Sequence, residues 1–75
     1  MLAMSQTPWE PKLGRAIRQH RKKRELTQQE AADLYGCSLR WWQTLEQGQN
    51  VSVDVLLKIA KLLTVKPWQL LKWEK

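Results

Sequence analysis

The sequence predicts a small all-α domain of five short helices, and three observations carry that expectation. No segment alternates apolar and polar residues with period two, as a half-buried strand would. Apolar residues recur at helical spacing instead, most clearly at Val55, Leu56, Ile59, Ala60, Leu62 and Leu63. Thr27, Ser38 and Ser52 each stand just ahead of a helical stretch, where a hydroxyl can cap it.

Residues 1–10 show little periodicity and read as an N-terminal tail, with Trp9 as its candidate anchor; residues 11–75 form the domain. The first helix begins near Pro11, since proline suits a first helical turn. Its inward stripe is Leu13, Ala16 and Ile17, with His20 and Arg21 at its end. The second opens on Thr27-Gln-Gln-Glu30, a capping box in which hydroxyl and carboxylate satisfy each other's backbone amides. Ala31, Ala32 and Tyr35 give it an inner face, and the two alanines admit another helix closely. Gly36 can take the left-handed turn that ends it. Ser38 caps the third helix, which Gly48 ends. Ser52 caps the fourth, where Asp54 complements the dipole. Pro67 opens a short fifth helix, PWQLLKW.

A chain of 75 residues is one domain with a thin core, burying about 60% of its unfolded surface. No covalent or metal staple is expected. Cys37 is the one cysteine and His20 the one histidine, so neither an intrachain disulfide nor a four-ligand zinc site can form. The five tryptophans supply packing instead. A lone thiol suits a reducing, cytoplasmic setting. The N-terminus lacks the charged and apolar regions of a signal peptide. No apolar run approaches the ~20 residues of a membrane span.

The net charge is +6. Lys12, Arg15, Arg18, Arg21, Lys22, Lys23 and Arg24 crowd residues 12–24, which contain no acid. A polyanionic partner follows, nucleic acid before anionic membrane; the plain alternative is a solvated face.

Residues 36–48, GCSLRWWQTLEQG, place two tryptophans side by side. At 100° per residue, Trp42 and Leu45 point one way with Glu46 beside them, while Arg40, Gln43, Thr44 and Gln47 occupy the opposite arc. Trp42 is therefore core, filling volume left by Ala31. Trp41 sits on the flank, with two readings: it covers the core edge, or it stacks on sugar-phosphate. Glu46 points inward and needs a partner. Two helices joined by the tight turn GCS make a helix-turn-helix. The third helix, about residues 38–47, packs with one side and offers the other, polar and without acid, to a DNA major groove.

Residues 12–73 resemble the XRE/Cro-type, lambda-repressor-like helix-turn-helix family. The resemblance lies in Ile17-Arg18 and Arg21, in Leu26-Thr27-Gln28, in Ala32, Gly36 and Ser38, in LEQG at 45–48, and in LLKIAKLLTV after it. It implies a compact five-helix domain and a sequence-specific regulator of double-stranded DNA, and, with the chain's small size, a homodimer that reads a two-fold site. Gln28 is similar to the family glutamine that holds a phosphate and braces the first residues of the third helix. Arg40 and Thr44, with Leu39, match positions that read base edges. An aliphatic Leu39 can meet a thymine methyl but makes no bidentate hydrogen bond. Arg paired with guanine is the commonest specific contact, which favours Arg40. Ser38, Gln43, Gln47, Gln49 and Asn50 lie near the backbone or groove edge. Arg21 and Glu46 resemble a family ion pair between the first and third helices.

The candidate dimer interface is Trp68, Leu71 and Trp73; alternatively these tryptophans cap the core. No catalytic set can be assembled, so no enzyme, cofactor or metal is expected. The rival function is a protein-interaction module, such as an antitoxin or bridging cofactor, for which exposed aromatics would serve a protein partner. A membrane-active basic peptide is disfavoured by the capped short helices. The family implies a bacterial or phage-encoded, nucleoid-associated protein.

Overall fold

The computed structural model describes residues 9–71, with side chains from residue 12 onward. Five helices follow in order: α1 (Trp9–Lys23), α2 (Gln28–Tyr35), α3 (Leu39–Glu46), α4 (Val53–Leu63) and α5 (Pro67–Leu71). The described residues contain no strand.

Helix α1 starts two residues ahead of the expected Pro11, inside the stretch read as a tail. Pro11 is then third in the helix, where its missing N–H removes no intrahelical bond, because the first four amides have none to make. At the other end Glu25 takes a left-handed φ of 58°, and the Leu26 amide donates to the Arg21 carbonyl at 3.2 Å. This closes α1 and turns the chain toward α2.

The expected caps form. The Thr27 hydroxyl accepts from the Glu30 amide at 3.0 Å, and Glu30 Oε1 accepts from the Thr27 amide at 2.8 Å. Gly36, at φ 92°, lets the amides of Gly36 and Cys37 both donate to the Ala32 carbonyl. Ser38 and Ser52 cap α3 and α4. Helix α4 ends less predictably, on Thr64 in a left-handed conformation, with Arg24 donating to its hydroxyl.

The core runs between the helices as one cluster. Leu13 and Ile17 come from α1, Ala31 and Ala32 from α2, and Trp42 and Leu45 from α3. Leu56, Ile59, Ala60 and Leu63 of α4 and Leu70 of α5 complete it. Trp42 is the largest fully buried side chain, and the two alanines opposite leave the room that an indole needs. Trp41 takes the flank, partly buried, with its ring 5.3 Å from that of Tyr35. The observed packing thus matches the core-edge reading of Trp41. Lys58 Nζ lies over the Tyr35 ring, 4.2 Å from its centroid.

One close approach has no counterpart in the sequence reading. Gly14 is buried where α1 crosses the end of α3. A Cβ there would lie 2.5 Å from the Glu46 carbonyl oxygen and 2.6 Å from the Gly48 nitrogen. Both are backbone atoms, so a glycine is what lets the two segments touch.

Candidate nucleic-acid interface

Helix α3 is held from behind by a buried carboxylate. Arg21 Nε donates to Glu46 Oε2 at 2.5 Å and Nη2 to Oε1 at 3.3 Å, which makes the expected ion pair a two-point clamp. Only 8% of the Arg21 side chain and 4% of the Glu46 side chain reach solvent. The third arm of the guanidinium, Nη1, donates to the Leu26 carbonyl at 2.7 Å. Two further donors complete the carboxylate: Trp42 Nε1 to Oε2 at 2.6 Å and Gln28 Nε2 to Oε1 at 3.0 Å. Burial acts to raise the Glu46 pKa; hydrogen bonds from Arg21, Gln28 and Trp42, with the Arg21 charge, outweigh it and hold the carboxyl below its usual value. The acid is therefore ionised, satisfied and unavailable for proton transfer.

Gln28 joins this clamp to the outer face. While one amide hydrogen serves Glu46, its Oε1 accepts from Gln43 Nε2 at 3.2 Å. A side-chain amide carries two hydrogens, so one N–H remains at the start of α2 for an outside acceptor. The start of a helix also favours a phosphate through its unpaired amides. Gln28 thus touches the middle and the end of α3, at Gln43 and Glu46, rather than the first residues that the resemblance implied.

The outward arc of α3 consists of Arg40, Gln43 and Gln47, all exposed, with Leu39 at its leading edge. Arg40 has no hydrogen-bond or ion-pair partner among the described residues. The Ser38 hydroxyl accepts from the Trp41 amide at 3.0 Å, which leaves its own proton to donate. Thr44 is placed differently. Its hydroxyl donates to the Trp41 carbonyl at 2.6 Å and accepts from Asn50 Nδ2 at 2.8 Å. That spends its proton and ties it to the loop; the Gln49 amide adds a bond to the Thr44 carbonyl at 2.9 Å. Asn50 holds a left-handed φ of 62°, a conformation asparagine tolerates better than most residues. Gln49 and Asn50 therefore sit in a loop fastened to the end of α3, beside Gln47.

The other candidates fall away from this face. Trp68 and Leu71 of α5 are 55% and 46% exposed, whereas Leu70 between them is buried. Trp73 lies outside the described residues. His20 packs near α5; burial lowers its pKa, the Lys23 charge adds to this, and a hydrogen bond with the Gln69 backbone opposes it. Burial pushes the Cys37 thiol up, with Lys58 opposing and Asp33 adding, which keeps it a poor nucleophile. No group of three or more His, Cys, Asp or Glu among the described residues could hold a metal. No described helix is long and apolar enough to cross a membrane.

Known proteins share this fold. Residues 12–71 match the helix-turn-helix domain family. The structure is similar to the restriction-modification controller protein C.AhdI from Aeromonas hydrophila, at 34% identity and a TM-score of 0.73, over 80% of this chain and 92% of that one. It is also similar to the clp gene regulator ClgR from C. glutamicum, at 25% identity and a TM-score of 0.80, over 88% and 87% of the two chains. No curated protein matches the chain. The family and both neighbours are those of non-enzymatic regulators with a DNA-binding fold. The chain belongs to the XRE-like helix-turn-helix family.

Proposed function

We propose that the protein is a sequence-specific transcriptional regulator that binds duplex DNA as a homodimer, with α3 in the major groove. The observation that carries this is the division of α3 into two faces. Trp42, Leu45 and Glu46 lock one face to the core, while Arg40, Gln43 and Gln47 stand outward on a rigid helix with no acid among them. Arg40, without an internal partner, is the base-reading residue, best matched to guanine. Leu39 meets an apolar base edge, such as a thymine methyl. Thr44, its hydroxyl engaged, contributes a methyl and a fixed position rather than a hydrogen-bond donor. Gln28, Ser38, Gln43, Gln47, Gln49 and Asn50 position the helix on the backbone and groove edge.

A single short helix has limited reach, so two copies on half-sites one turn apart, about 34 Å, are needed for tight binding. The exposed Trp68 and Leu71 support α5 as part of the contact between copies, and Trp73 is proposed to extend it. The work would be done in a bacterial or phage-infected cytoplasm, at the nucleoid. The same exposed pair also supports a second reading, a protein-interaction module such as an antitoxin or bridging cofactor, in which α5 meets another protein.

Selection of bound duplexes from a random pool, at about 0.15 M salt where non-specific attraction is partly screened, separates the two. A two-fold motif with half-sites about ten base pairs apart is the expected result. A pool without a motif, bound and released by salt alone, favours the interaction module.

A further inference from the structure

Arg15, Arg18 and Lys22 stand at i, i+3 and i+7 on the outer face of α1, and with Gln19 they line a shallow depression of about 220 Å³. All three are exposed, and none pairs with any described residue. Neighbouring cations have internal roles: Arg21 holds Glu46, and Arg24 donates to Thr64. The stretch from Lys12 to Arg24 contains no acid.

This arrangement costs the helix stability. Like charges three or four residues apart repel, by some tenths of a kcal/mol per pair. The helix dipole favours cations in the last turn, which helps Lys22 but not Arg15 or Arg18 at mid-helix. A face that served only solubility would intersperse both signs. The repulsion is relieved by an anion from outside. From Arg15 to Lys22 the helix rises about 10 Å, which spans about three phosphates of one strand counted along a duplex axis.

We propose that the outer face of α1 is a second, sequence-blind contact to the phosphate backbone of duplex DNA, separate from the outward arc of α3. The proposal rests on the DNA-binding reading above and extends it. The test uses the whole chain carrying R15Q, R18Q and K22Q together, with duplex affinity measured across a salt series. The slope of log affinity against log salt should become shallower by nearly three, at about 0.9 per phosphate contact. The loss should be equal on a selected site and on random duplex, with the selected motif unchanged. A second variant, R15K with R18K, keeps the charge and should keep the wild-type slope.

An unchanged slope in the glutamine variant overturns the proposal and leaves an acidic protein surface as the face's occupant. An altered base preference also overturns it, as does an equal loss in the lysine variant, which would trace the effect to helix structure. Failure of sequence-specific recognition looks different: the wild type would select no motif, yet the glutamine variant would still flatten the slope on random duplex.

Discussion

The two faces of α3 are built on opposite principles. The inner face satisfies every polar group within the protein: four donors converge on Glu46, one of them the indole of the buried Trp42 beside it. On the outer face Arg40 is left with no partner among the described residues. A surface arginine on an eight-residue helix contributes little to folding. The contrast teaches that stability and recognition are separated by a rotation of about 200° between Trp42 and Arg40 on one helix. Changes on the inner face should show as lost folding, and changes on the outer face as lost binding.

The largest effect should come from the clamp. Glu46→Ala leaves the Arg21 charge buried and unpaired, and should lower unfolding free energy by about 3 kcal/mol, read by denaturant titration. A stability within about 0.5 kcal/mol of the parent would show that the buried pair does not anchor α3. The pH dependence has a definite sign. The folded-state pKa of Glu46 lies below its unfolded value. Its stabilisation is therefore fully present above the usual glutamate range and is lost as pH falls through the folded value. The acid-side loss should be smaller in Glu46→Gln.

Next is Gly14→Ala. The added methyl meets backbone of Glu46 and Gly48, so the crossing of α1 over α3 must open, at about 1–3 kcal/mol. The helix itself should gain from the substitution, by up to ~1 kcal/mol of propensity. A more stable Gly14→Ala protein would therefore mean that the close crossing is absent.

A smaller effect is expected at Trp41, which borders both faces. Trp41→Leu removes the ring contact with Tyr35 and should cost about 1 kcal/mol of stability. Affinities for different duplexes, compared at one salt concentration, should keep their ratios. A strong loss of binding with unchanged stability would move Trp41 to the recognition side.

Much of the inner face was legible because its chemistry is local or obligatory. Thr27 with Glu30, Ser38, Ser52 and Gly36 announce helix ends through bonds within four or five residues. Glu46, placed on the apolar arc by periodicity, required a buried partner. That Trp42 and Gln28 would both donate to it was not legible, because this depends on how three helices converge. Gly14 was missed for a similar reason. Its neighbours lie more than thirty residues away, and its only sequence signal was a mid-helix glycine that costs about 1 kcal/mol and so asks for a packing reason. The tie between Thr44 and Asn50 needs the loop's left-handed turn, which no spacing reveals. The outer face offered polarity alone. Its assignment to base reading came from the family resemblance, because contacts made only with a partner leave no periodic trace.

The most direct test of the separation between the faces is Arg40→Ala, taken through denaturant titration and duplex selection on the same preparation. The unfolding midpoint should stay where it was. Affinity for the cognate site should fall by about 1–3 kcal/mol, with preference relaxed at one base position in each half-site. An equal loss on every sequence would make Arg40 a phosphate contact. A shifted midpoint would show that the outer arc is part of the fold, and the division of α3 into a folding face and a reading face would be wrong.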